Sequence, residues 1–134
     1  MKAHLNRRYR FSASHRLHSE HMSDAENQAT YGKCNNPHGH GHNYVLEVTV
    51  SGQLDSNGMV CNLTELDGCV NREIITRFDL ENLNLSPEFA ESVPTTENLC
   101  LVIYDILKRK FDQAHLERVR LEETMMNSFE YDGN

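Results

Sequence analysis

Hydrophobic positions recur with a period of two near both ends of the chain and with a helical period through its middle. Tyr9, Phe11, Ala13 and His15 share one parity, and Arg8, Arg10, Ser12 and Ser14 take the other, which predicts a strand. Residues 18–38 are rich in Ser, Glu, Asn, Gly and Pro and read as a loop. Alternation resumes from Tyr44 to Val50, with Leu46, Val48 and Val50 facing one way and Val45, Glu47 and Thr49 the other. Asp55-Ser56-Asn57-Gly58 is a turn, with Asn-Gly its strongest element.

The helical stretches carry their own start signals. Asn62 followed by Glu65 resembles a capping box, and Leu63, Leu66, Val70 and Ile74 recur behind it at helical spacing as far as Phe78. Residues 79–93 are irregular. Pro94-Thr95-Thr96-Glu97 then opens a second helix, with a hydroxyl cap and an acid at the positive end of the dipole. Leu99, Val102, Ile103, Ile106 and Leu107 form its stripe, and Lys108, Arg109 and Lys110 close it. Two short strands follow: Val119 and Leu121 alternate with Arg118, Arg120 and Glu122, and Phe129 and Tyr131 alternate with Ser128 and Glu130. The order β-β-α-α-β-β predicts an α+β fold, a four-stranded antiparallel sheet with both helices on one face. The sheet's open edges invite association between subunits.

A length of 134 residues suits one domain spanning 1–134. No apolar run reaches the ~18 residues of a membrane span, and Met1–Arg8 lacks the apolar core of a signal peptide, so a cytoplasmic location is expected. A net charge of −7 argues against a nucleic-acid partner. The first sixteen residues nevertheless hold Lys2, Arg7, Arg8, Arg10 and Arg16 and no acid, either a solvated strand face or a grip for a small anion such as a phosphate ester. The cysteines are Cys34, Cys61, Cys69 and Cys100, with no Cys-x-x-Cys pair for a thiolate zinc knuckle or a redox motif. Cys69 and Cys100 fall on helices as core fillers, whereas Cys34 stands in a polar loop beside a histidine cluster.

That cluster, Cys34-Asn35-Asn36-Pro37-His38-Gly39-His40-Gly41-His42-Asn43-Tyr44, is the sharpest chemical feature. His40 and His42 run into a strand, where alternation places both imidazoles on one side. His15 ends the first strand on its apolar parity, so pairing of the two strands closes a three-histidine site. Three neutral imidazoles on Zn²⁺ leave a fourth position open, the catalytic arrangement. His38-Gly39-His40 is also a His-x-His, and only the adjoining strand favours His40 and His42. Lys33 and a dication beside Cys34 would lower its thiol pKa and suit it to act as base or nucleophile. Glu123 shares the parity of Val119 and Leu121, a costly place for a carboxylate unless it meets a ligand's N–H groups.

At these residues the sequence resembles the 6-pyruvoyl-tetrahydropterin synthase family, from about Tyr9 to Tyr131. The resemblance rests on Phe11-Ser12-Ala13-Ser14-His15-Arg16-Leu17, Gly32-Lys33-Cys34-Asn35-Asn36-Pro37 and Gly39-His40-Gly41-His42-Asn43-Tyr44. Gly58-Met59-Val60, Asn62-Leu63-Thr64, Thr95-Thr96-Glu97-Asn98 and Glu123-Thr124 extend it. The spacing Cys-x5-His-Gly-His is that of the animal-type enzymes. Bacterial 6-carboxy-tetrahydropterin synthases typically show Cys-x3-His-Gly-His, which Cys34, His38 and His40 also satisfy.

The resemblance implies the tunnelling fold, in which three subunits close a twelve-stranded barrel and two trimers stack into a homohexamer with sites between subunits. It implies a lyase that eliminates triphosphate from 7,8-dihydroneopterin triphosphate. His15, His40 and His42 would hold Zn²⁺, Cys34 would be the general base, and Glu123, helped by Thr95 and Thr96, would anchor the pterin. One departure matters. Where the family has Leu-Asp-His, whose last two residues complete a proton relay with the cysteine, this chain has Phe78-Asp79-Leu80. Asp79 is kept, but leucine carries no proton. His18, His21 or His38 could replace the missing group. Otherwise the chain forms 6-carboxytetrahydropterin for queuosine and other deazapurines, or binds pterin without turnover. Apart from the resemblance, the histidines alone would also suit an unrelated metal-dependent hydrolase.

Overall fold

The computed structural model describes all residues from Met1 to Asn134. Two long strands, β1 (Lys2–His15) and β2 (His40–Gln53), pair antiparallel along their whole length, from Lys2 opposite Gln53 to His15 opposite His40. Both start earlier than the hydrophobic alternation shows, because the outer residues of β1 are polar or half-exposed and ladder hydrogen bonds alone define them. β4 (His115–Thr124) pairs antiparallel with β2, with a register shift at Thr49/Val50, and β5 (Asn127–Tyr131) closes a hairpin with β4.

The sheet has five strands rather than four, and it is mixed. A two-residue strand β3 (Glu81–Asn82) lies parallel to β1 at Ala13 and Ser14, giving the order β3-β1-β2-β4-β5. Two residues are too few to show a period, so composition alone did not reveal it. Within one chain the sheet is open, with β3 and β5 at its edges.

The stretch read as a loop contains a helix, α1 (Asp24–Tyr31). Ser23 and Glu26 form a reciprocal capping box at its start. Its one buried residue is Asn27, so it lacks the apolar stripe by which helices are recognised. The Asn27 amide instead ties α1 to the backbone of Ser19, Met22 and Ser23. The predicted helix from Leu63 to Phe78 is present as three contiguous pieces: α2 (Leu63–Val70), a π segment (Asn71–Ile75) and α3 (Thr76–Phe78). The last predicted helix is α4 (Thr96–Lys110), capped by the Thr95 hydroxyl on Asn98 N.

α2 and α4 share one core with the sheet. Phe11, Tyr44, Leu46, Val48, Val119 and Leu121 from the strands meet Leu66, Val70, Leu99 and Ile103 from the helices, all buried. The opposite face carries Arg8, Arg10, Glu47, Arg120 and Glu122, which line a wide polar groove of about 700 Å³. Most of the N-terminal basic residues have carboxylate partners rather than standing ready for an anion. Lys2 pairs with Glu117, Arg7 with Asp67 and Arg8 with Glu47. No helix is long and apolar enough to cross a membrane.

Candidate metal centre

The register of β1 against β2 builds the centre. His15 lies directly across from His40, and Ala13 across from His42, so three imidazoles emerge on the core face within one ladder rung of each other. His15 Nε2 is 3.2 Å from His40 Nε2, which is 3.0 Å from His42 Nε2. One ligand atom from each residue lies within 4.8 Å of the others. Tetrahedral coordination at ~2.05 Å per nitrogen implies ligand separations of roughly 3.3 Å, close to these values. Two of the three spacings thus suit one small dication, and the third pair of ligand atoms lies within 4.8 Å. Three nitrogen ligands on a four-coordinate ion would leave one corner for a further ligand.

Two features fix the rings. His15 is 1% exposed, and its Nδ1–H donates to the Pro94 carbonyl at 2.8 Å, which turns Nε2 toward the other two imidazoles. Burial holds His15 below its ordinary pKa, against the pull of that carbonyl, and so favours the neutral, ligating form. His42 is likewise lowered by burial, opposed by the charge of Glu123. Gly39, just before β2, has φ +72°, and a Cβ there would stand 2.9 Å from the His15 carbonyl oxygen. Only glycine lets the loop approach the His15 backbone this closely.

His38 is exposed and lies outside the cluster, whereas His40 and His42 lie within it. Cys34 is half-buried and lines a cleft of about 690 Å³ together with Lys33, Asn36, Pro37 and His40. Its loop is pinned by Leu17 N donating to Cys34 O and by the buried Asn35 amide donating to Leu17 O. The expected depression of its thiol pKa is not produced by the protein's own groups. Burial first, and the Glu123 charge second, push the Cys34 thiol up. Lys33 is exposed and makes no compensating contact.

Glu123, at the end of β4, reaches back over the triad, with Oε2 3.9 Å from His42 Nε2 and accepting a hydrogen bond from the buried Thr96 hydroxyl. Thr95 caps α4 through its side chain. The structure thus gathers the three histidines, Cys34, Glu123 and Thr96 at one end of the sheet.

Asp79 is elsewhere. Its carboxylate accepts from Ser12 N at 2.9 Å, while Leu80 N donates to Ser12 O. Leu80 is the one non-glycine residue with positive φ, at 62°, and it is 84% exposed. It lines a shallow cleft with Ser12, Gly41 and His42. His18 is held by the Asn35 amide, and His21 lies exposed in the loop. Sequence reasoning missed Pro94, which acts through a backbone carbonyl and so leaves no side-chain signal.

A half-open imidazole triad flanked by a thiol and a carboxylate defines a metal-dependent enzyme class rather than a structural metal site. The 6-pyruvoyl tetrahydropterin synthase family profile matches residues 4–134. The guppy (Poecilia reticulata) 6-pyruvoyl tetrahydrobiopterin synthase is 48% identical over 125 residues, covering 92% of this chain and 85% of its own. The solved Caenorhabditis elegans 6-pyruvoyl tetrahydropterin synthase superposes with a TM-score of 0.94 at 41% identity, over 100% of this chain and 97% of its own. The 6-carboxy-5,6,7,8-tetrahydropterin synthase of Aquifex aeolicus is more distant, 29% identical over 98% of both chains. The chain belongs to the 6-pyruvoyl tetrahydropterin synthase family, a family of metalloenzymes, and is a lyase of pterin metabolism.

Proposed function

We propose that the protein eliminates triphosphate from 7,8-dihydroneopterin triphosphate to form 6-pyruvoyl-tetrahydropterin, with Zn²⁺ held by His15, His40 and His42. The observation that carries this reading is the convergence of three imidazoles beside the Glu123 carboxylate. Nitrogen ligands favour zinc over magnesium. Bound there, the ion would supply Lewis-acid polarisation of the substrate's side-chain oxygens.

The chain's own residues do the rest. Glu123 accepts the N–H groups of the pterin ring, and Thr96 orients that carboxylate by donating to Oε2. Thr95 sets the start of α4 and thereby the position of Thr96. Cys34, in the cleft it shares with His40, takes a proton from the substrate side chain as triphosphate departs. A cation at the triad opposes the burial and the Glu123 charge that raise the thiol. Asp79, bound to Ser12 N in its own chain, serves a site completed by a neighbouring subunit, in a hexamer built from two barrel-closing trimers.

Leu80 favours a second reading. Without the family's relay histidine, proton traffic changes, and 6-carboxytetrahydropterin formation or pterin binding without turnover become the alternatives. Incubation with the triphosphate, with and without chelator, followed by chromatography of the products, separates them. Chelator-sensitive release of triphosphate with a pyruvoyl product is expected. A carboxylated pterin with acetaldehyde would establish the second reaction, and binding without conversion would remove turnover from the assignment.

A further inference from the structure

The far end of the sheet gathers a second set of metal-ligating side chains. His4 on β1 lies opposite Ser51 on β2, and Ser51 lies opposite His115 on β4, so the two histidines flank one serine on a single rung. Alternation puts this rung on the polar face, away from the buried Val50 and Leu116. Leu116 pairs with Val50 and Arg118 with Thr49, which makes Glu117 the extra residue of a bulge in β4. Its carboxylate accepts from the Ser51 hydroxyl, and Ser51 is 0% exposed, so Oε1 is held over the middle strand. His4 Nε2 stands 3.7 Å from that oxygen, His115 Nε2 3.9 Å and Lys2 Nζ 3.2 Å. The Ser51 hydrogen bond first, and Lys2 second, hold the Glu117 carboxyl down at about 2, so it is ionised at any physiological pH. One ammonium is enough to balance one carboxylate. The approach of two imidazoles to the same oxygen from opposite sides is left unexplained by that pairing.

We propose that His4, His115 and Glu117 form a second metal site, in which a divalent ion of the zinc type takes the place of the Lys2 ammonium and ties the start of β1 to β4 across β2. Two imidazoles and one carboxylate are a zinc donor set that leaves a corner for water. Tetrahedral coordination asks for ligand separations of roughly 3.3 Å, so each ring must advance by about half an ångström toward Oε1. The side chains of His4 and His115 are 51% and 58% exposed, which leaves them room to turn. Lys2 is as exposed and swings into solvent. The site is separate from the triad, because His4 and His15 stand near opposite ends of β1, roughly 35 Å apart at ~3.3 Å per residue.

The test is equilibrium dialysis of the untagged full chain against Zn²⁺ at a fixed micromolar free concentration, with bound zinc counted by elemental analysis. His4→Gln and His115→Gln, folded as the wild type by circular dichroism, are each expected to hold one zinc fewer per chain. His42→Ala is expected to keep that zinc whether or not the triad binds its own, so failure at one centre is told apart from failure at the other. In this His42→Ala background zinc should raise the melting temperature, and adding His4→Gln should abolish the rise. Lys2→Ala removes the competing ammonium and should bind the distal zinc several-fold more tightly. Equal zinc in the wild type, His4→Gln and His115→Gln means adventitious binding only and overturns the proposal. A melting temperature of His42→Ala that zinc does not move overturns it, and so does a Lys2→Ala protein that binds no more tightly than the wild type.

Discussion

At the scale of single residues, the duties proposed for the three imidazoles and the cysteine are separable. His42→Ala removes a proposed ligand whose Nε2 stands 3.0 Å from that of His40, so stoichiometric zinc should be lost from the triad by elemental analysis. His38→Ala, altering an exposed residue outside the triad, should retain it. The reverse result would move the ligand register by two residues. Cys34→Ala leaves all three nitrogens in place and should keep zinc while losing ~10²–10⁴ in turnover, the usual worth of a general base. Unchanged turnover would take the base role from Cys34. Leu80 combines positive φ with high exposure, at the position where the resemblance implies a relay histidine. Histidine tolerates left-handed backbone better than leucine. Leu80→His is therefore expected to fold at least as well and to raise synthase turnover. A well-folded variant with no gain would mean that protons travel by another route.

At the scale of elements, the centre exists because one hairpin holds its register to the last rung, where His15 faces His40. Gly39 guards that rung. Gly39→Ala places a methyl 2.9 Å from the His15 carbonyl oxygen on a left-handed backbone. A cost of about 1–2 kcal/mol, or roughly 3–8 °C in melting temperature, is expected, together with looser zinc retention. Wild-type melting and metal content would show that the loop yields freely. The same elements explain what could be read beforehand. Strands and helices with one buried face, such as 44–50 and 96–110, advertise their period, and so do ligands set on alternate strand positions. α1 could not be read because it is anchored by the Asn27 amide rather than by an apolar stripe. β3 is too short for any period. The part of Lys33 at the Cys34 thiol could not be read because sequence adjacency says nothing of burial, while Glu123, distant in sequence, is the protein charge that reaches it.

At the scale of the whole molecule, the single chain leaves business unfinished. β3 and β5 are unpaired on their outer sides, and Leu80, Leu85, Met125 and Met126 are all more than four-fifths exposed. Edges and apolar residues of this kind are normally covered. Asp79 meanwhile binds Ser12 N rather than Cys34. If neighbouring copies complete each site, one contributing Cys34 and the other Asp79, then two inactive variants should rescue each other. Cys34→Ala supplies an intact Asp79, and Asp79→Asn supplies an intact Cys34 while retaining an acceptor for Ser12 N. Random mixing before assembly in a symmetric oligomer restores both residues at roughly a quarter of the sites. Turnover of the unfolded and co-refolded mixture should therefore rise from near zero toward about a quarter of the wild-type value. Mixing the two after separate assembly should give no rise until subunits exchange. A site contained within one chain predicts no recovery in either case, because every protomer then carries a lesion in its own centre. A flat result in mixtures shown by mass to contain both variants would thus confine Cys34 and Asp79 to one chain's site, and an active Asp79→Asn on its own would place Asp79 outside the chemistry.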